Sequence, residues 1–218
     1  MPKRFDLLVF DWDGTLMDSA GTIVSSIQNA CRDLELPVPS DAASRHVIGL
    51  GLREAMEALV PGLDADACQR LVERYRHYYL GQDMHIPLFE GVTQAIAGMR
   101  DAGFLLAVAT GKSRHGLDRA LEHTGLGTYF HSTRCADECF SKPHPCMIEQ
   151  IMDELGVAPA RTVMIGDTSH DLQMAINAGV DALGAGYGAH PKAHLEALSP
   201  LICTDSFIEI NEWIIENA

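Results

Sequence analysis

Leu7-Leu8-Val9-Phe10 is an unbroken apolar run stopped by Asp11, with Gly14 just beyond, and this pattern constrains the fold more than any other in the chain. A run that is apolar at every position suits a strand buried on both faces, as in a parallel sheet, and the abrupt change to Asp and Gly marks its exit into a loop. The grammar recurs. Residues 104–109 end at Thr110-Gly111, residues 162–165 at Gly166-Asp167 and residues 182–185 among glycines, with a further candidate at 129–133. Apolar spacing near 3.6 residues predicts helices over about 91–102, 114–124, 145–155 and 170–178. Gly103, Gly125, Gly156 and Gly179 stand where those helices should stop. Alternating strand and helix predict an α/β fold, a Rossmann-like doubly wound parallel sheet with right-handed crossovers. Ligands of such sheets bind beyond the carboxyl ends of the strands, where Asp11, Thr110 and Asp167 fall.

Residues 18–84 break this alternation. Their pattern is helical near 19–34, 52–60 and 65–80, divided by Pro and Gly, with no strand between. An insertion of this length directly after the first strand exceeds a simple crossover and predicts a separate helical cap over the strand ends. The expected organisation is a catalytic core from residues 1–17 and 85–218 with a cap at 18–84, hinged near 16–20 and 82–88.

Charge narrows the partners. With 30 acidic against 16 basic residues the net charge is −14, which repels nucleic acid and anionic lipid, and no local cluster of basic residues offsets it. A small molecule is the expected partner, for a monomer or homodimer. Six scattered cysteines in a chain of 218 residues suggest reduced thiols rather than a disulfide scaffold. The opening Met-Pro-Lys-Arg-Phe-Asp leads into a run too short for a secretory core or a membrane span, so a cytoplasmic location is expected. His131, Cys135, Cys139, His144 and Cys146 match no zinc spacing.

The chemistry concentrates at the strand ends. Asp11-Trp12-Asp13-Gly14-Thr15 places two carboxylates at the mouth of a buried strand, and Gly166-Asp167-Thr168-Ser169-His170-Asp171 brings two more to the same edge. Crowded like charges need a shared cation, and Mg²⁺ prefers a few hard oxygen ligands. Lys142, within Ser141-Lys142-Pro143, offers an ammonium, and Thr110, Gly111 and Lys112 offer a hydroxyl, an unobstructed amide and a second cation for an anion.

Asp11-x-Asp13-Gly14-Thr15, Thr110-Gly111, Lys142-Pro143 and Gly166-Asp167-x-x-x-Asp171, in this order, resemble the four motifs of the haloacid dehalogenase-like superfamily. The helical insert is similar to the cap of its subgroup containing phosphoglycolate phosphatases and β-phosphoglucomutases. The resemblance implies that Asp11 is a nucleophile forming an aspartyl-phosphate and that Asp13 is the general acid and base. It also implies that Asp11, Asp167 and the Asp13 backbone carbonyl hold Mg²⁺, that Thr110, Gly111 and Lys142 bind phosphate, and that Asp171 orients Lys142 or a metal-bound water. A carboxylate at position 13 argues against the dehalogenase branch, since a departing halide needs no proton. By the same resemblance the leading substrate is 2-phosphoglycolate, its carboxylate read by Arg53. A sugar-phosphate mutase, a pyrophosphatase or nucleotidase, and a catalytically silent binding module are the alternatives. Tyr75, Tyr78 and Tyr79 are expected to pack cap helices, and His170 either to touch substrate or, as the favoured reading, to be exposed.

Overall fold

The computed structural model describes residues 4–218. Six parallel strands, β1 (Leu7–Phe10), β2 (Leu105–Thr110), β3 (Ser132–Cys135), β4 (Thr162–Gly166), β5 (Asp181–Ala185) and β6 (Ile202–Thr204), form one sheet in the order β3-β2-β1-β4-β5-β6. The chain winds outward from β1 in one direction through β2 and β3, and from β4 in the other through β5 and β6. The boundary between β1 and β4 is therefore the switch point where a crevice opens.

Alternation along β1 separates two apolar layers. Leu8 and Phe10 belong to one packed cluster with Leu106, Val108 and Ile165, into which α5 (Val92–Asp101), α6 (Arg114–Thr124) and α10 (Phe207–Asn217) send buried residues. Leu7 and Val9 belong to the other, with Ala107, Met164 and residues of α7 (Cys146–Leu155), α8 (Ser169–Ala178) and α9 (Lys192–Glu196). Removing the Phe10 ring, fully buried between its neighbours, would cost about 3–5 kcal/mol.

Helices α1 (Ala20–Asp33), α2 (Asp41–His46), α3 (Leu52–Leu59) and α4 (Ala65–Leu80) follow β1 without an intervening strand. Helix α1 packs along α4, where Arg74 and Tyr78 both bond to Asp33. The segments entering and leaving this helical unit run antiparallel, with Asp18 N donating to Pro87 O and Phe89 N to Leu16 O, each at 3.0 Å.

Several elements depart from the sequence expectation. The candidate at 129–133 is displaced, since Leu126–Tyr129 forms a 3-10 turn and β3 begins at Ser132. Strand β6 and helix α10 were not anticipated. A three-residue edge strand shows no periodicity of its own, and it exists because β5 offers it a partner.

Candidate active site

Asp11 N donates to Ile165 O at 2.9 Å, extending the β1–β4 register one residue past the strand and fixing the carboxylate at the switch point. Lys142 Nζ lies 2.7 Å from Asp11 Oδ1 and 2.6 Å from Asp171 Oδ1, and all three side chains are buried. The other oxygen of Asp171 accepts from Thr168 N (3.0 Å) and Thr168 Oγ1 (2.6 Å) in the capping box that opens α8. Asp171 is thus bonded at both oxygens and holds the ammonium toward Asp11.

Asp167 accepts from Thr15 Oγ1 and from Ala189 N, both at 2.7 Å. The backbone closes tightly around it. A Cβ on Gly14, whose φ is +84°, would fall 2.1 Å from Asp167 Oδ2, and one on Gly188 would fall 2.4 Å from the same atom. Side-chain-free residues are required at both positions.

Asp13 accepts from Ser19 Oγ at 2.7 Å and pairs with Lys112 Nζ at 3.0 Å. Lys112 also donates to Tyr79 Oη at 2.9 Å, and that hydroxyl sits 3.5 Å from Asp13 Oδ1. Tyr79 therefore reaches the edge where Asp13 sits, which the expectation of simple helix packing missed. The stacked rings of Tyr75 and Tyr79 line the cavity, whereas Tyr78 bonds within the helical unit. Thr110 is buried at the end of β2, where its hydroxyl accepts from Lys112 N at 3.2 Å. A Cβ on Gly111 would lie 2.5 Å from Leu50 O, so the loop before α3 presses directly on this turn. Nearby, Gly51 N donates to Ser141 Oγ at 2.8 Å.

The structure brings Asp11, Asp13, Thr110, Gly111, Lys142, Asp167 and Asp171 to one edge. Arg53 stands apart from this group. It lines the cavity, but its Nε donates to Glu57 at 2.9 Å and the side chain is largely exposed. His170 departs from the expected exposure. Half-buried, its Nε2 meets His46 O at 2.8 Å, and His190 Nε2 meets the same carbonyl at 3.1 Å. Ser19, Thr15, Tyr79, His46 and His190 escaped sequence reasoning as site neighbours. Only Thr15, inside the first motif, carried a signal, since the others arrive through tertiary contact.

Burial pushes the Asp11 carboxyl up to about 7, opposed by Lys142 and reinforced by Asp171 and Asp13. Burial likewise raises Asp167 strongly, with Asp11 and Asp171 adding to it. Burial alone would lower Lys142, but Asp11 and Asp171 outweigh it and hold the amine charged. Four carboxylates, of Asp11, Asp13, Asp167 and Asp171, face two ammonium groups, of Lys142 and Lys112. Oxygens of Asp11, Asp167 and Asp171 lie within 4.8 Å of one another, and Asp11 Oδ2 receives no hydrogen bond from the described residues. Excess negative charge, hard oxygen donors and an orphaned carboxylate oxygen fit a divalent cation of the Mg²⁺ kind.

Above Asp11 and Asp13 opens a cavity of about 580 Å³, walled by α1, α3 and α4 on one side and by the Thr110–Ser113 turn on the other. Among the described residues, no helix is long and apolar enough to cross a membrane.

Comparison with known proteins agrees with this architecture. The chain is 37% identical to Probable phosphatase IndB of Dickeya dadantii, over 94% of this chain and 91% of the relative. It is 32% identical to Tyrosine-protein kinase PtkA of Mycobacterium tuberculosis, over 91% of this chain and 68% of that protein. Among solved structures, a predicted phosphoglycolate phosphatase from Haemophilus somnus superposes with a TM-score of 0.87 at 25% identity, covering 97% of this chain and 99% of that one. The model of the haloacid dehalogenase-like hydrolases matches residues 8–185, which include all four motifs, and the chain belongs to that family.

Proposed function

We propose that this hydrolase cleaves phosphate monoesters through a phosphoryl group carried transiently on Asp11. The observation that carries this reading is the Asp11 carboxylate, buried at the switch point with Lys142 against one oxygen and no hydrogen bond on the other. A carboxylate paired with an ammonium through one oxygen, and with its other oxygen free, is placed to act as a nucleophile in its ionised form.

In the first step Asp11 Oδ2 attacks phosphorus in line, the ester bond breaks, and the leaving oxygen takes a proton from Asp13. In the second, Asp13 accepts a proton from water as the water oxygen bonds to phosphorus. Inorganic phosphate departs and Asp11 is restored. Ser19 and Lys112 keep the Asp13 carboxyl in place between these transfers. Lys142, the Thr110 hydroxyl and the amide of Gly111 would hold the non-bridging oxygens of the phosphoryl group. Asp11, Asp167 and the backbone carbonyl of Asp13 would hold Mg²⁺, which supplies positive charge to offset that of the phosphoryl oxygens.

Residues 18–84 act in this reading as a cap that closes over residues 1–17 and 85–218. The contacts of Gly49, Leu50 and Gly51 with Gly111 and Ser141 support it, as does the antiparallel pairing of the two connecting segments. Closure would exclude water from the phosphoryl group. For 2-phosphoglycolate, Arg53 would have to exchange Glu57 for the substrate's carboxylate.

Phosphate release across a panel of monoesters, with and without Mg²⁺, tests the reading. Metal-dependent release by the native chain and none by Asp11→Asn is expected. A folded protein that releases no phosphate from any ester would instead be a silent binding module, and transfer to a second hydroxyl without release would make it a mutase.

A further inference from the structure

The cavity over Asp11 and Asp13 is large, and apolar side chains make up a substantial part of its lining. About 580 Å³ lies in the range that accommodates drug-sized ligands and equals the share of roughly twenty waters at ~30 Å³ each. A two-carbon ester would leave most of it unfilled. The apolar part of the lining includes Ile23, Ile27, Val47 and Met56, all buried, and Tyr75, whose ring stacks on that of Tyr79 with centroids 5.7 Å apart at 18°.

The charges on these walls do not favour a second anion. Lys112 is paired with Asp13 and Arg53 with Glu57, while Arg76 is exposed to solvent. Glu54 and Asp137 add negative charge to the lining. A carboxylate or second phosphate placed there would lose its water and gain no free cation at the buried end. An uncharged apolar group would lose only unfavourable hydration.

The geometry points to a substrate whose leaving group is an uncharged alcohol with a bulky apolar body, best an aromatic ring laid against Tyr75. This rests on the phosphatase reading and narrows it to a substrate class. Aromatic rings gain from offset or edge contact with one another, which a flexible aliphatic chain cannot match. Specificity of this type acts by differential burial in the transition state, and each methylene in such a pocket is worth roughly 10–200-fold.

The test compares kcat/KM for 2-phenylethyl phosphate, 2-cyclohexylethyl phosphate and 2-phosphoglycolate with the Mg²⁺-loaded full chain. The expected result is an advantage on the order of 100-fold for the phenyl ester over 2-phosphoglycolate, with the cyclohexyl ester between them. Tyr75→Ala is expected to cut the phenyl-to-cyclohexyl ratio several-fold. Competitive inhibition of the native chain by 2-phenylethylphosphonate, stronger than by phosphonoacetate, gives the same ranking without any variant. Turnover of 2-phosphoglycolate equal to or above that of the phenyl ester would overturn the proposal and leave the phosphatase reading standing. Absence of Asp11-dependent release from all three esters and from the wider panel would overturn both.

Discussion

Lys142 sits between Asp11 and Asp171, so the consequence of a substitution in this cluster depends on the sign of the charge removed. Lys142→Met leaves buried carboxylates without their ammonium. It should cost about 3–5 kcal/mol of stability, read in denaturant unfolding, and abolish turnover. Asp11→Asn removes one of several crowded like charges. It should reduce phosphate release by roughly a thousandfold or more, as expected for a covalent nucleophile, yet raise the metal-free protein's stability by about 1 kcal/mol. Both positions were legible from the sequence motifs, Asp11 at a strand end and Lys142 in the loop before α7. The bond from Asp171 to Lys142 crosses 29 positions of chain, and its form was decided by the Thr168 capping box, which fixes the Asp171 rotamer.

At the scale of elements, the decisive contact is between the loop before α3 and the turn after β2. Gly111 has no space for a side chain because Gly49 O and Leu50 O would lie 2.6 and 2.5 Å from its Cβ. Those atoms are backbone and cannot rotate away. Gly111→Ala should therefore push the helical unit off the strand ends. The expected outcome is a kcat/KM lowered by about tenfold or more with little change in the unfolding midpoint, checked by steady-state kinetics beside thermal unfolding. Helices α5 to α8 were readable from apolar spacing and terminal glycines. Gly125, Gly156 and Gly179 take the left-handed conformation where their helices end. Strand β6 and the six-residue helix α2 are too short for periodicity to reveal them.

For the whole molecule, the buried acidic cluster sets how stability responds to pH and metal. The folded-state pKa of Asp11, about 7, and that of Asp167 lie above the ordinary value of 3.8 because burial disfavours the charged forms. The contribution of Asp11 is therefore complete below pH 4 and is lost as pH rises through about 7, and that of Asp167 is likewise lost as pH rises. Added Mg²⁺ should raise the melting temperature more at pH 8 than at pH 5, by several degrees at saturating concentration. A thermal-shift series across pH and Mg²⁺ checks this, and an equal gain at both pH values would contradict it. The sequence by itself determined the parallel sheet and the meeting of Asp11, Thr110 and Asp167 at one edge. Apolar runs define parallel strands, and residues that leave parallel strands must emerge on the same side. Tertiary structure alone decided that Lys112 and Tyr79 hold Asp13, that Arg53 pairs with Glu57, and that apolar side chains of the inserted helices line much of the cavity. Those outcomes depend on how helices distant in sequence pack over the strand ends, and local periodicity carries no information about that distance.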